Sequence, residues 1–257
     1  MKNLFDNVAK DFTKYRSGYP NKFYKKLEQD YNICLQDQKV LDIATSNGLA
    51  ARDLARRGCF VTGIDNSPEL INEAKNTYSE SLNIDYILGD VTKLPFGNEL
   101  FDVVTAVHCW EVLPKKEASK EALRVLKNSG KFVVSQFDQL PIGNNIVSQT
   151  EKLVSKYNTE WNSQNSYGFY PQWIEEIYEV GFSNIETFTF DVTTTYTHDE
   201  WKGRMRTGAD IGGSLSRDDV LLFNKELDNL LKSNYSGELL EVPQRMFSIV
   251  CEKKIRV

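Results

Sequence analysis

Histidine and cysteine are scarce in this chain: His108 and His198 are its two histidines, and Cys34, Cys59, Cys109 and Cys251 its four cysteines. No two cysteines form a CxxC pair, which argues against a zinc site or a disulfide frame, and they read as reduced thiols of a cytoplasmic protein. A polyhistidine metal centre has too few ligands, so no metal is expected. No apolar run approaches the ~20 residues that span a bilayer, and the opening segment MKNLFDNVAKDFTKYRSGYP lacks the apolar core of a secretory signal. There is no long Lys/Arg run, and 31 basic against 36 acidic residues leave a formal charge of −5. Neither a membrane nor a nucleic acid is therefore an expected partner; a small-molecule substrate is.

What is present is an ordinary globular composition, 40% hydrophobic and 26% charged over 257 residues, enough for a sizeable core. Phe23, Leu27 and Tyr31 fall on one helical face. KVLDIAT (39–45) reads as a buried strand, LAARDLARRG (49–58) as a helix closed by Gly58, and CFVTGID (59–65) as a second strand. SPELINEAKNTY begins with Ser67 and Pro68, an N-cap and first-turn pair. IDYILGD (84–90), LFDVVTAVHC (100–109) and GKFVVSQFD (130–138) continue the strands, with an amphipathic helix over 116–128. Short apolar strands alternating with helices, without hairpin turns, specify an α/β doubly wound, Rossmann-like, mostly parallel sheet. Beyond 140 the periodicity weakens until a helix ending at Gly181, a strand over 184–196, a mainly helical stretch over 199–235 and a last strand over 244–254, which brings the sheet to seven strands. The expectation is one domain over 1–257, monomer or homodimer. Its core spans about 38–140, and a helical cap is built from insertions at about 1–30, 141–180 and 197–236.

Ligands of open parallel sheets bind beyond the carboxyl ends of the strands, where strand order reverses. The first strand delivers Asp42-Ile43-Ala44-Thr45-Ser46-Asn47-Gly48 into a helix start, with small residues at 44, 46 and 48 that permit a tight bend. Asp65 ends the second strand, where a carboxylate can accept both hydroxyl protons of a ribose. Asp90 ends the third, where it can accept from an adenine amine. Three acidic strand ends suit a neutral or cationic nucleoside better than a pyrophosphate, which they would repel.

The runs VLDIATSNG, GIDNS, LGDVTKLPF, FDVVTAVHCWEVL and EALRVLKNSGKFVV, in that order, resemble the class I S-adenosylmethionine-dependent methyltransferases, most closely their small-molecule, type 11-like branch. FDNVAKDFTKYRSGYP is similar to the YxxYRPxYP segment of some of these enzymes. The chain departs from the family's GxGxG loop, since Ala44 and Ser46 replace the first two glycines and Gly48 alone remains. Asn128-Ser129-Gly130 likewise stands where the family has Pro-Gly-Gly. The resemblance implies S-adenosyl-L-methionine as cofactor and S-adenosyl-L-homocysteine as product. It implies that the backbone around Ala44, Thr45 and Gly48, with Ser46 near the methionine moiety, holds the cofactor. Asp65 would take the ribose, Asn66 would pack beside the adenine, and Asp90 and Val91 would read the adenine edge. Tyr15 and Arg16 would close over the cofactor, Arg16 pairing with its carboxylate.

Several of these residues admit a second reading. Asp42 either organises the loop or touches the cofactor. His108, near the sulfonium, is a candidate general base or a packed rim residue, and Cys109 reads as packing. Trp110 and Glu111 follow the fourth strand, where substrates of this family sit. Tyr157, Trp161, Tyr167, Phe169, Tyr170 and Trp173 line a substrate pocket or form a satellite core. Of Arg204 and Arg206, two residues apart on a helix and so facing different ways, one can bind a carboxylate substrate, or they form a solvated helix face or an internal ion pair. The expected activity is in-line methyl transfer to a small molecule. The alternatives are a non-catalytic S-adenosylmethionine-binding protein and an NAD(P)-dependent oxidoreductase, the latter disfavoured by the missing GxGxxG turn.

Overall fold

The computed structural model describes residues 8–77, 82–161 and 167–254. Residues 5–7 of the opening motif and Tyr78 at the end of the SPELINEAKNTY helix lie outside the described residues. In chain order the first elements are α1 (Ala9–Tyr15), α2 (Asn21–Tyr31), β1 (Lys39–Ile43), α3 (Leu49–Ala55), β2 (Phe60–Asp65), α4 (Pro68–Asn76), β3 (Ile84–Leu88) and β4 (Phe101–Val107). They are followed by α5 (Lys115–Val125), β5 (Leu126–Gln139), α6 (Ile146–Tyr157), α7 (Gln172–Val180), β6 (Phe182–Thr197), α8 (His198–Arg206), α9 (Arg217–Asn234) and β7 (Leu239–Lys253).

The strands form one seven-stranded sheet in the order β3-β2-β1-β4-β5-β7-β6. β1 is parallel to β2 and β4, β2 to β3, and β4 to β5. β7 runs the other way. Ser135 bonds Ser248 and the Leu140 amide bonds Pro243, so residue numbers rise on β5 as they fall on β7. Thr189 to Met246 and Ser183 to Glu252 show the same antiparallel sense against β6. The order turns back on itself between β1 and β4, which is the switch point of this sheet. Central β1 and β4 are buried almost throughout, which is why their sequences are continuous apolar runs rather than alternating ones.

The chain divides into two compact units, Gly18–Phe137, Phe169–Phe190 and Met246–Val257 in one, and Met1–Ser17, Asp138–Gly168 and Asp191–Arg245 in the other. The first, the sheet unit, has its main core between the sheet and α5 and α7, built on Leu41, Val104, Phe132, Val134, Ile177 and Ile249. The second, the helical unit, centres on Trp201, Phe223, Leu227, Leu231 and Val242.

Local chemistry accounts for the boundaries. Ser67 caps α4 by accepting from the Leu70 amide at 3.2 Å, with Pro68 opening the helix, and Gly181 closes α7 in a left-handed conformation, φ 110°. Two expectations are corrected. The helix expected over 116–128 ends at Val125, because Leu126 is extended, pairs with Phe101 and is fully buried. The Asn128-Ser129-Gly130 turn then forms an irregularity inside β5, where Gly130 is needed since a Cβ would lie 2.8 Å from the Lys127 carbonyl. The weak periodicity after 140 hides α6, capped by Asn145 accepting from the Ser148 amide at 3.0 Å. One position of its buried stripe is a polar residue, Thr150, whose hydroxyl donates to the Ile146 carbonyl and accepts from Trp201 Nε1 at 3.1 Å.

Trp201, fully buried and edge-on to Tyr196 at 5.6 Å, is the anchor of the helical unit. Trp201→Ala is expected to cost about 3–5 kcal/mol, read as a lowered urea midpoint; a change within 1 kcal/mol would show that the unit does not depend on it.

Candidate active site

One row across the sheet organises the switch point. Tyr86 on β3 pairs with Gly63 on β2, Gly63 with Asp42 on β1, and Asp42 with Thr105 on β4. The Asp42 carboxylate, 1% exposed, accepts from the Thr105 hydroxyl at 2.7 Å and the Thr45 hydroxyl at 2.6 Å. One buried charge therefore ties β4 to the first residues of the loop that leaves β1. Burial pushes this carboxyl up to about 6, against the pull of the two hydroxyls and with a further push from the charge of Asp65. Through Thr45 this carboxylate bears on the geometry of the loop.

The loop itself is wound left-handed at alternate residues: φ is 49° at Ala44, 56° at Ser46 and 78° at Gly48. These are the three positions at which the resembled loop carries glycine. For Ala44 and Ser46 that conformation costs about 1–2 kcal/mol each. At Gly48 no side chain is possible on a second ground, since a Cβ would collide with the Tyr86 ring, and one at Gly63 would meet Thr45 and Tyr86 at 2.9 Å. Tyr86 is thus the platform under the loop, a role no local sequence pattern announces because it reaches the loop from β3.

What holds the strained loop is Asp65. Its Oδ2 accepts from the Ser46 amide and its Oδ1 from the Ser67 amide, both at 2.9 Å. Its own carbonyl takes the Gly89 amide, which brings the end of β3 alongside. Asn66 beside it is exposed. Asp90 is exposed too, with Oδ1 accepting from the Thr92 amide and hydroxyl at 2.8 Å, and Val91 is buried next to it. Ala44, Thr45, Ser46, Gly48, Asp65, Asn66, Asp90 and Val91 are therefore gathered at the carboxyl ends of β1 to β3.

The end of β4 carries His108, also left-handed at φ 58°. Its amide donates to the Ser135 carbonyl, and its Nδ1 accepts from the Phe137 amide at 3.1 Å. In the neutral ring, an Nδ1 that accepts leaves Nε2 as the nitrogen that carries the proton. Tyr19, whose hydroxyl donates to the Val107 carbonyl at 3.4 Å and whose ring meets Phe137 edge-on, joins this strand end. Tyr19 was absent from the expected set, although it belongs to the YRSGYP segment. Cys109 is packing: its thiol donates to the Ile43 carbonyl, and burial pushes its pKa well up.

Two expected substrate residues are corrected. Trp110 is 0% exposed, edge-on to Phe132 at 5.5 Å in the main core. Tyr170 stacks on Trp173 at 4.1 Å and meets Phe247 in the same core. Both are large apolar surfaces covering the sheet, and that is where they gain most. Tyr15, Arg16 and Arg204 belong to the helical unit. The Tyr15 ring fills the space above Gly203. Arg16 lies over the Phe12 ring and donates to Thr207. Arg204, 8% exposed, also donates to Thr207, while Arg206 pairs with Asp11 at 2.7 Å.

Two measurements check this geometry. Gly48→Ala should destabilise by about 1–3 kcal/mol, from strain plus the Tyr86 collision, whereas Ser46→Gly should be neutral or stabilising by up to ~1 kcal/mol in thermal melts. The Asp42 proton is held more tightly folded (about 6) than unfolded (about 3.9). The stability it contributes is therefore full below about pH 4 and is lost as pH rises through about 6. Asp42→Asn should lack that slope, gaining on the parent by on the order of 2–3 kcal/mol across the window; parallel urea curves for the two proteins would refute the buried charge.

Comparison with known proteins agrees with this arrangement. Residues 41–134 match the family described as a methyltransferase domain. The chain is 32% identical over 155 residues to a demethylmenaquinone methyltransferase of Renibacterium salmoninarum, covering 59% of this chain and 64% of that protein. It is 33% identical over 117 residues to a ubiquinone biosynthesis O-methyltransferase of Coxiella burnetii, covering 45% and 49%. The matches thus span about half to two thirds of these curated relatives. Among solved structures the fold is shared with the [4+2]-cyclase SpnF, at TM-score 0.61 and 17% identity over 98% of this chain and 94% of that one. It is also shared with Haemonchus contortus phosphoethanolamine N-methyltransferase 2 in complex with S-adenosyl-L-methionine, at 0.55 and 19% over 98% and 57%. The sheet order and the loop after β1 agree with that match, so the segment over 41–134 is similar to the methyltransferase domain family, and the fold is the one these solved structures share.

Proposed function

We propose that the sheet unit binds S-adenosylmethionine at the carboxyl ends of β1 to β4 and that the protein transfers its methyl group to a small-molecule acceptor by in-line displacement. The observation that carries this reading is the Asp65 carboxylate at the end of β2, holding the strained loop through Ser46. A carboxylate accepts on both of its oxygens, and a ribose presents two hydroxyl donors to it. Asp90, Val91 and Asn66 supply an acceptor, an apolar floor and an exposed flank for the base. A sulfonium gains from the charges of Asp42 and Asp65, which a pyrophosphate would oppose. The cofactor supplies an activated methyl group; the residues of the chain bind, orient and exclude water.

The relatives named for menaquinone and ubiquinone biosynthesis support a small-molecule acceptor, as does the formal charge of −5 without a long basic run. This reading assigns no proton-accepting role to His108, whose Nδ1 accepts from the Phe137 amide. An acceptor that reacts as an anion, such as a carboxylate, needs no such base.

Calorimetry with S-adenosylhomocysteine and with NAD(H) tests the reading. The homocysteine compound should bind, NAD(H) should not, and Asp65→Ala should weaken binding about 10–100-fold, the value of one or two hydrogen bonds to a charge. Binding of NAD(H) alone would overturn it, and cofactor binding without methylation of any acceptor would leave a non-catalytic binder. His108→Asn, which keeps an acceptor and tolerates the left-handed backbone, should change turnover by less than about tenfold. A loss of about 100-fold or more is what removal of a general base would give.

A further inference from the structure

The connection from β3 to β4, residues 89–100, contains no helix. Right-handed connections that move outward from β1 to β2 and β3 pass over one face of the sheet, and the one that returns from β3 to β4 passes over the other. A helix ordinarily fills that second path. Here the loop covers part of the face, with Leu94 buried and Phe96 edge-on to Phe101 at 5.2 Å. At the amino-terminal ends of β2 and β3 the same face carries a cavity of about 450 Å³.

The register says which side chains lie there. Lys39 pairs with Phe60, Leu41 with Thr62, and Thr62 with Asp85. Residues paired across parallel strands, and residues two apart on one strand, share a face. Lys39, Phe60, Thr62 and Asp85 therefore form one surface on the side of Leu41 and the main core, and all four line the cavity together with Asn83 and Phe101. Phe60 is 46% exposed, although strands of a parallel sheet are ordinarily covered on both faces. Lys39 and Asp85, both exposed, stand at opposite corners of this surface, about 12 Å apart by strand spacing and rise. Neither side chain has an ion-pair partner among the described residues. Asp102, next to Lys39 on β4, accepts from the Lys39 amide at 2.9 Å and is paired with Lys127 at 2.7 Å.

We propose that this face of the sheet unit is the contact between two copies of the chain, with Lys39 of each against Asp85 of the other and Phe60 against Phe60. The charge pattern decides the partner. A surface with one cation and one anion at opposite corners is complementary to itself under a two-fold axis that lies in the interface and crosses the line between them. A partner carrying one sign of charge would be repelled at one of the two corners. The same axis brings the two Phe60 rings together, and an exposed aromatic is the residue type that anchors such contacts. The surface lies at the amino ends of the strands, so association leaves their carboxyl ends open. The proposal does not depend on the methyl-transfer reading.

Sedimentation equilibrium of the full chain over a wide range of concentration tests it, and a monomer–dimer equilibrium is expected. Phe60→Asp should raise the dissociation constant at least about thirtyfold, the value of one anchoring residue. Lys39→Glu and Asp85→Lys each set like charges together twice, and each should leave monomers. Mixed in equal amounts, these two variants should dimerise with each other, because every pair then has opposite charges again. The exposed charge reversals keep the test decisive should Phe60→Asp fail to fold. A parent that stays monomeric at every concentration, single reversals that dimerise as the parent does, or a mixture that remains monomeric overturns the proposal.

Discussion

A single buried carboxylate sets the geometry of the sheet unit. Asp42 sits in the middle of a central strand, where a charge is costly, and it is kept there by hydroxyls from two directions, Thr105 on the adjacent strand and Thr45 in the loop. Everything at the switch point follows from that anchor. With Thr45 fixed, the chain must turn within a few residues to start α3, and it does so by adopting left-handed angles at 44, 46 and 48. Asp65 then receives the Ser46 amide, so a second carboxylate secures what the first has bent. The two acids repel each other and are nevertheless close enough for each to matter to the other. A site arranged this way favours a positively charged guest.

Strain and space are distributed unevenly along the loop. At Gly48 both backbone angle and the Tyr86 ring forbid a side chain, whereas at 44 and 46 only the angle is unfavourable. Glycine is therefore retained at the one position where two constraints coincide. His108 adopts the same left-handed conformation on the other side of the switch point, so the strained residues cluster around the place where a ligand is expected, in keeping with the general location of backbone strain.

The helical unit uses polar groups differently. Its core is anchored by Trp201 bonded to Thr150, a conventional satisfied pair. In the same unit Arg16 and Arg204 both donate to the buried Thr207 hydroxyl. That the same fold serves a cyclase as well as methyltransferases is a reminder that chemistry resides in the groups a fold carries and not in the sheet.

Much was legible in the chain alone. Continuous apolar runs separated by helical patterns specify a parallel sheet, because a strand buried on both faces has no polar side to show, and Asp65 and Asp90 stand at strand ends by simple counting. The caps at Ser67 and Gly181 are equally local. Other features needed the folded molecule. Trp110 and Tyr170 look the same in sequence whether they line a pocket or a core, and only packing against Phe132 and Trp173 decides. The α6 helix escaped because a polar Thr150 occupies its buried stripe, paired with a tryptophan 51 residues away. Tyr86 supports the loop from two strands over, and His108 is met by the amide of Phe137. Each of these is a contact between residues distant in the chain, which neither periodicity nor composition encodes.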